Sequence, residues 1–173
     1  PHKANLEKIP QLRPAFAESG TITPANSSSI SDGASALLLA SEMATASNGL
    51  TPKARIVAHA RHSLAPESFT LAPIGAVEKV LNKAGWNAKG VDLWEINEAF
   101  AMVTMLTTRA LDLDPACVNI HGGACAQGHP IGSTGSRVIV TLMHALQHYG
   151  KKRGVAALCI GGGEATAVAI ELI

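Results

Sequence analysis

Aromatic side chains are nearly missing from this chain: three Phe, two Trp and one Tyr amount to 3% of 173 residues. A core must therefore be assembled from Ala, Leu, Ile and Val, whose small side chains let helices and sheet approach closely. Charge is also sparse, at 16% of residues with a net value of +1. That balance excludes the basic stripe of a nucleic-acid-binding surface. No apolar run approaches the roughly 18 residues that a membrane-spanning helix needs. Nucleic acid and membrane are thus not expected partners. Cysteine is limited to Cys117, Cys125 and Cys159, an odd number without paired spacing. This favours a reducing, cytoplasmic setting over a disulfide framework. No metal site is expected either: His144 and His148 stand four apart on a helical stretch, but no nearby carboxylate supports them. Gly132-Ser133-Thr134-Gly135 has neither a P-loop lysine nor a GxGxxG order, so it makes a poor nucleotide cradle.

What is present is a 47% hydrophobic chain long enough for a substantial core. It opens on Pro1 with no signal or transit pattern and is expected to be a piece of a longer protein. Residues 1–32 read as loop with short extended pieces. The apolar run 34–40 suits a buried strand, and Ser41 can cap a helix that stops near Gly49. A strand follows through Ile56, Val57 and Ala58. Pro73 can open a helix that Gly85 closes, with Ile74, Val77, Leu81 and Ala84 on one face. Val91 to Ile96 alternates as a strand. Residues 98–111 read as helix, with Met102, Met105, Leu106 and Ala110 available for packing. Val118-Asn119-Ile120 reads as a short strand. Residues 133–149 form the strongest helix, capped by Ser133 or Ser136, with Val138, Leu142, Ala145 and Tyr149 on one side. Residues 154–160 and 165–172 read as two strands around a glycine turn. The order β-α-β-α-β-α-β-α-β-β predicts the α/β class, with helices on the faces of a sheet that a terminal hairpin makes mixed. A boundary falls near residues 50–53.

The residues suited to chemistry sit at glycine-rich turns. His129 lies in Gly122-Gly123-Ala124-Cys125-Ala126-Gln127-Gly128-His129-Pro130-Ile131-Gly132, where glycines permit sharp turns and Pro130 stiffens the chain. Such an imidazole can accept a thiol proton or donate to an oxyanion near neutral pH; an isolated histidine is otherwise a bonded core or loop residue. Cys159 ends an apolar strand, where a thiol is ordinarily inert, but Gly161-Gly162-Gly163 behind it can expose backbone amides as an oxyanion site. Asn97 follows a strand and precedes a helix; it can cap that helix, hold a water or carbonyl, or do both. Glu98 is expected in the first helical turn, where the helix dipole favours it. Cys125 reads as a packed small residue and Cys117 as incidental.

Asn97-Glu98-Ala99-Phe100-Ala101, Gly128-His129-Pro130-Ile131-Gly132 and Cys159-Ile160-Gly161-Gly162-Gly163 resemble three C-terminal signature segments of thiolases, especially acetyl-CoA acetyltransferases. Asn26-Ser27-Ser28-Ser29-Ile30-Ser31-Asp32-Gly33-Ala34 resembles the family segment that lies along the pantetheine of coenzyme A. The resemblance is collinear over nearly the whole chain. It implies half of a five-layer αβαβα fold, with residues 1–52 as the end of the N-terminal domain (loop, strand, helix) and 53–173 as the C-terminal domain. It implies transfer of an acyl group from a thioester to a cysteine and on to coenzyme A or the enolate of acetyl-CoA. It implies that His129 activates the nucleophile and lines one oxyanion hole, and that Asn97 holds a water there. Cys159 would move the proton at the carbon of the second acyl-CoA, and the Gly161 amide would serve the other oxyanion hole. Ser28, Ala99 and Phe100 would contact coenzyme A, which is substrate and product; no further cofactor is implied.

In thiolases the acylated cysteine belongs to the N-terminal half, and none of Cys117, Cys125 and Cys159 matches it. The chain alone is therefore expected not to turn over, with the missing half as its partner and homo-oligomerisation as in the family. Gly163-Glu164-Ala165-Thr166 also departs from the family's usual ending of that loop. Two other readings compete: a decarboxylating ketoacyl synthase of the same fold, and a non-catalytic acyl-CoA-binding or dimerising module. The acid/base cysteine at a glycine run favours the thiolase over the first. The pairing of His129 with Cys159 favours it over the second.

Overall fold

A computed structural model describes residues 5–173. Residues 1–4 of the expected first segment lie outside the described residues. The architecture is a four-stranded mixed sheet of β1 (Ala54–Ser63), β2 (Leu93–Ile96), β3 (Arg153–Cys159) and β4 (Glu164–Leu172). Its order is β1-β4-β3-β2. The β1–β4 and β3–β4 pairs are antiparallel, and β2 runs parallel to β3, with Ile96 opposite Ala157. The α/β class and the mixed sheet with a terminal hairpin follow the sequence pattern.

Both faces carry helices. On one, α2 (Ala72–Ala84) buries Ala76, Val77 and Val80 against alternate residues of the strands: Val155, Ala157 and Cys159 of β3 and Ala165, Ala167 and Ala169 of β4. Alanine on the sheet lets the helix lie close, as the shortage of aromatics requires. Pro73 stands in the first turn and Gly85 closes the helix at φ 67°, a conformation that penalises a side chain. On the other face, α5 (Thr134–His148) sets Val138, Leu142, Ala145 and Leu146 against Leu93, Ala156 and Ile170. Leu142 occupies the space a Cβ on Gly154 would need, 2.7 Å from its Cδ1. Glycine in β3 is thus what admits this leucine.

Several expectations are corrected. Residues 34–40 join no sheet, and Leu38 and Leu39 are exposed. A strand needs a partner ladder for its backbone groups, and none of the four strands pairs with this segment. Ser41 does cap a short helix, α1 (Glu42–Ser47), by accepting from the Ala44 N–H. Residues 118–120 make a single bridge to Trp94 rather than a strand. The helix expected over 98–111 is α3 (Ala101–Ala110); it buries Val103 and Thr107, while Met105 is exposed. Its N-cap is Phe100, so Asn97 caps nothing there. A four-residue helix, α4 (Ala124–Gln127), stands where only turn was expected. Tyr149 ends up half exposed beyond α5.

A candidate acid/base site at the carboxyl edge of the sheet

Parallel β2 and β3 end side by side, and the residues after them collect at that edge. The Asn97 N–H bonds the Ala157 carbonyl at 2.9 Å, continuing the ladder by one residue beyond β2. Its side chain is fully buried and lies 3.4 Å from His129 Nε2 through Nδ2. Sequence alone separates these two residues by 32 positions; the fold makes them neighbours.

His129 is fixed on three sides. Its N–H bonds the Ser29 carbonyl at 2.9 Å. Its Nδ1 lies 2.7 Å from Thr134 Oγ1, whose own hydroxyl donates to the Pro130 carbonyl at 2.9 Å. A hydroxyl has one proton, so Thr134 accepts from Nδ1–H. The lone pair is thereby left on Nε2, facing Asn97 Nδ2. Burial, and then the Arg137 charge, hold the imidazole pKa below its usual value. The ring is a neutral base at physiological pH, with its accepting nitrogen turned toward Asn97.

Behind them is a partly buried charge cluster that the motifs did not disclose. Arg137 on α5 donates from Nη2 to Asn97 Oδ1 at 3.1 Å, and its Nε is buried without a partner. Glu95 of β2 is 2% exposed, and burial raises its pKa from an ordinary 4.5 to about 7, against the opposing pull of Arg137. Glu98 does not enter the first turn of α3. Its carboxylate accepts from the Cys125 N–H at 3.0 Å and from Asn119 Nδ2 at 3.4 Å. A Cβ on Gly123 would collide with that carboxylate, so glycine there makes room for it. Cys125 is only partly buried, and its thiol, pressed by burial and then by Glu98, is pushed up to about 11. One signal for Arg137 was available: it is the only charged residue in α5 apart from histidine. The sequence marks Thr134 only as part of Gly132-Ser133-Thr134-Gly135.

The segment expected to line a substrate arm is also assembled. The Ser28 N–H and hydroxyl both reach the Ala99 carbonyl, at 3.2 and 3.0 Å. Ser27 bridges Phe100, and Ile30 bridges His129. The Phe100 ring stands edge-on to Phe16 and Phe69, at 5.8 and 6.4 Å between centroids. Ser35 Oγ lies 2.6 Å from both Ser133 Oγ and Ser136 Oγ, tying the extended segment to the start of α5.

Cys159 lies at the same edge but outside the Asn97–His129 network. It continues the Val155–Ala157 row into the core on the α2 side, whereas Asn97 reaches Arg137 on α5. Among the described residues its thiol bonds neither His129 nor Asn97, and burial pushes its pKa up. In the turn after it, Ile160 and Gly163 close on each other, while the Gly161 and Gly162 N–H groups have no protein acceptor among the described residues. Gly163, at φ 99°, has no room for a Cβ beside the Leu64 carbonyl.

A sequence model of the thiolase C-terminal domain matches residues 50–172, and one of the thiolase N-terminal domain matches residues 1–43. A probable acetyl-CoA acetyltransferase of Dictyostelium discoideum is 50% identical over 171 residues, covering 99% of this chain and 41% of that protein. The Bacillus anthracis acetyl-CoA acetyltransferase structure superposes with a TM-score of 0.96 at 40% identity, over 100% of this chain and 44% of that one. A thiolase from Ascaris suum in complex with coenzyme A superposes at 0.90 and 40% identity, over 99% and 45%. The chain thus spans less than half the length of these relatives.

Proposed function

The chain belongs to the thiolase family, and from that premise we propose that it supplies the acid/base half of an acyl-transfer site. The protein containing it acts as an acetyl-CoA C-acetyltransferase or 3-ketoacyl-CoA thiolase. Residues 1–52 form the end of its N-terminal domain and 53–173 its C-terminal domain. The observation that carries the reading is the Asn97–His129 pair, which keeps the proton-accepting lone pair of the imidazole on Nε2.

In the first step His129 Nε2 takes the proton of a cysteine thiol supplied by the N-terminal half. The thiolate attacks the thioester carbonyl, and the new Nε2–H, with a water held by Asn97, donates to the oxyanion. Collapse expels the coenzyme A thiolate, which takes the proton of the Cys159 thiol and leaves Cys159 as the thiolate. In the second step that thiolate removes a proton from the α-carbon of acetyl-CoA. The Gly161 N–H stabilises the resulting enolate, which attacks the acyl-cysteine and expels the nucleophile as a thiolate, and His129 returns to it the proton taken in the first step. Each positioned acid/base group is worth about 10²–10⁴ in rate, and each oxyanion donor about 10²–10³. Ser28, Ala99 and Phe100 line the coenzyme A arm; Ser28 is already anchored on the Ala99 carbonyl. Coenzyme A is substrate and product, and no other cofactor enters.

The three free cysteines fit a reducing cytoplasm, where the site would exchange acyl-CoA thioesters of fatty-acid metabolism within a homo-oligomer. The thiolase assignment displaces the ketoacyl synthase reading, and the Asn97–His129 pair favours catalysis over a binding module. The test is formation or thiolysis of acetoacetyl-CoA by the chain joined to a thiolase N-terminal half. His129→Asn is expected to lower kcat at least about 100-fold; undiminished kcat in that variant would refute the role given to His129.

A further inference from the structure

The Asn97 amide has two possible orientations, and only one presents N–H to His129. Oxygen and nitrogen of an amide are distinguished by what faces them. Arg137 Nη2, 3.1 Å away, has no acceptor capacity, so the atom it meets is Oδ1. Nδ2 is thereby turned toward His129 Nε2, which must accept. Thr134 on the other side accepts from Nδ1. Two independent contacts on opposite sides of the ring thus select the same tautomer.

Arg137 is itself well placed for this. It rises from the first turns of α5, and its Nη1 lies 3.5 Å from Gln127 Oε1. Gln127 in turn donates to the carbonyls of His121 and Gly122. Burial pushes the guanidinium pKa down, and the nearby Glu95 and Glu98 act against that shift.

We propose that Arg137 is a positioning residue: by clamping Asn97 Oδ1 it holds the amide in the orientation that keeps the accepting lone pair of His129 on Nε2. The proposal rests on the acid/base role given to His129, but its test needs no turnover. Nitrogen-15 NMR of the labelled 173-residue chain at pH 8 distinguishes protonated from unprotonated imidazole nitrogens. His129 of the unaltered chain is expected to carry its proton on Nδ1. In Arg137→Met the share of the Nε2–H tautomer is expected to rise about tenfold, equivalent to about 1.4 kcal/mol. A merely structural arginine would lower stability and leave the tautomer as it was. Should Arg137→Met not fold, Asn97→Asp decides the matter: Arg137 then meets a carboxylate whose second oxygen faces Nε2, and the proton is expected to move to Nε2. A predominant Nε2–H in the unaltered chain, an unchanged tautomer in folded Arg137→Met, or an unprotonated Nε2 in Asn97→Asp overturns the proposal. Loss of acyl transfer in a protein that keeps the expected tautomer would count against the functional reading instead.

Discussion

Replacing Thr134 by valine tests how much one hydroxyl holds the site together. Valine keeps the shape of threonine in a position that is 1% exposed, so packing changes little. Two hydrogen bonds are lost, but they are unequal. The Pro130 carbonyl still accepts from the Ser133 and Thr134 N–H groups at 2.7 and 2.8 Å, so it is not orphaned. His129 Nδ1–H loses its acceptor at 2.7 Å. A half-buried donor left unmade costs about 1 kcal/mol, the lower end of the range for such losses. With a urea dependence of about 1–3 kcal/mol per molar, the unfolding midpoint is expected to fall by about 0.3–1 M. The imidazole, free of its Nδ1 acceptor, should also populate the Nε2–H tautomer, visible by nitrogen-15 NMR. An unchanged midpoint together with an unchanged tautomer would refute the argument, because the ring would then be held by something other than Thr134.

Other consequences follow from groups away from the imidazole. Glu95 has a folded-state pKa of about 7 against an ordinary 4.5, so between those values the folded chain binds more protons than the unfolded one. Its contribution to stability is full below about pH 4.5 and is lost as pH rises toward 7; in Glu95→Gln that downward slope should flatten in urea titrations run from pH 5 to 8. Gly163→Ala forces a side chain into φ 99° against the Leu64 carbonyl and should cost at least about 1–2 kcal/mol by thermal unfolding; full wild-type stability would contradict the geometry. Leu142→Ala should cost about 3–5 kcal/mol. Gly154→Ala should be less harmful in that background than alone, since the Leu142 methyl it strikes is gone; strict additivity in the double-mutant cycle would show that the two do not meet.

The parts of the fold that were legible in the sequence are those fixed by local chemistry. Gly85 at positive φ ends α2 where its position suggested, and Ser41 caps α1 through its hydroxyl. The hairpin of β3 and β4 was readable because two apolar runs flank a glycine turn. The strand expected over residues 34–40 failed for want of a partner distant in sequence. Residues 34–40 have the composition of a strand, but pairing is a property of the sheet and not of the segment. At the site, glycines and proline singled out His129, and the position after β2 singled out Asn97. Thr134, Arg137 and Glu95 went unrecognised because a buried polar side chain acquires its role from the group it meets. Arg137 lies 40 residues from Asn97 and touches it only after α5 has packed on the sheet. The placing of Cys159 also depended on the fold: strand alternation sends its sulfur to the α2 side while Asn97 faces α5.

The central claim is that this chain holds the proton-moving groups of a thioester exchange whose acyl-accepting sulfur comes from elsewhere. Intact-mass measurement after incubation with isotope-labelled acetyl-CoA tests it most directly. The chain alone should remain unlabelled, and label should appear on the added thiolase N-terminal half only when His129 is present. Stoichiometric acetylation of the chain alone, at Cys125 or Cys159, would contradict the account.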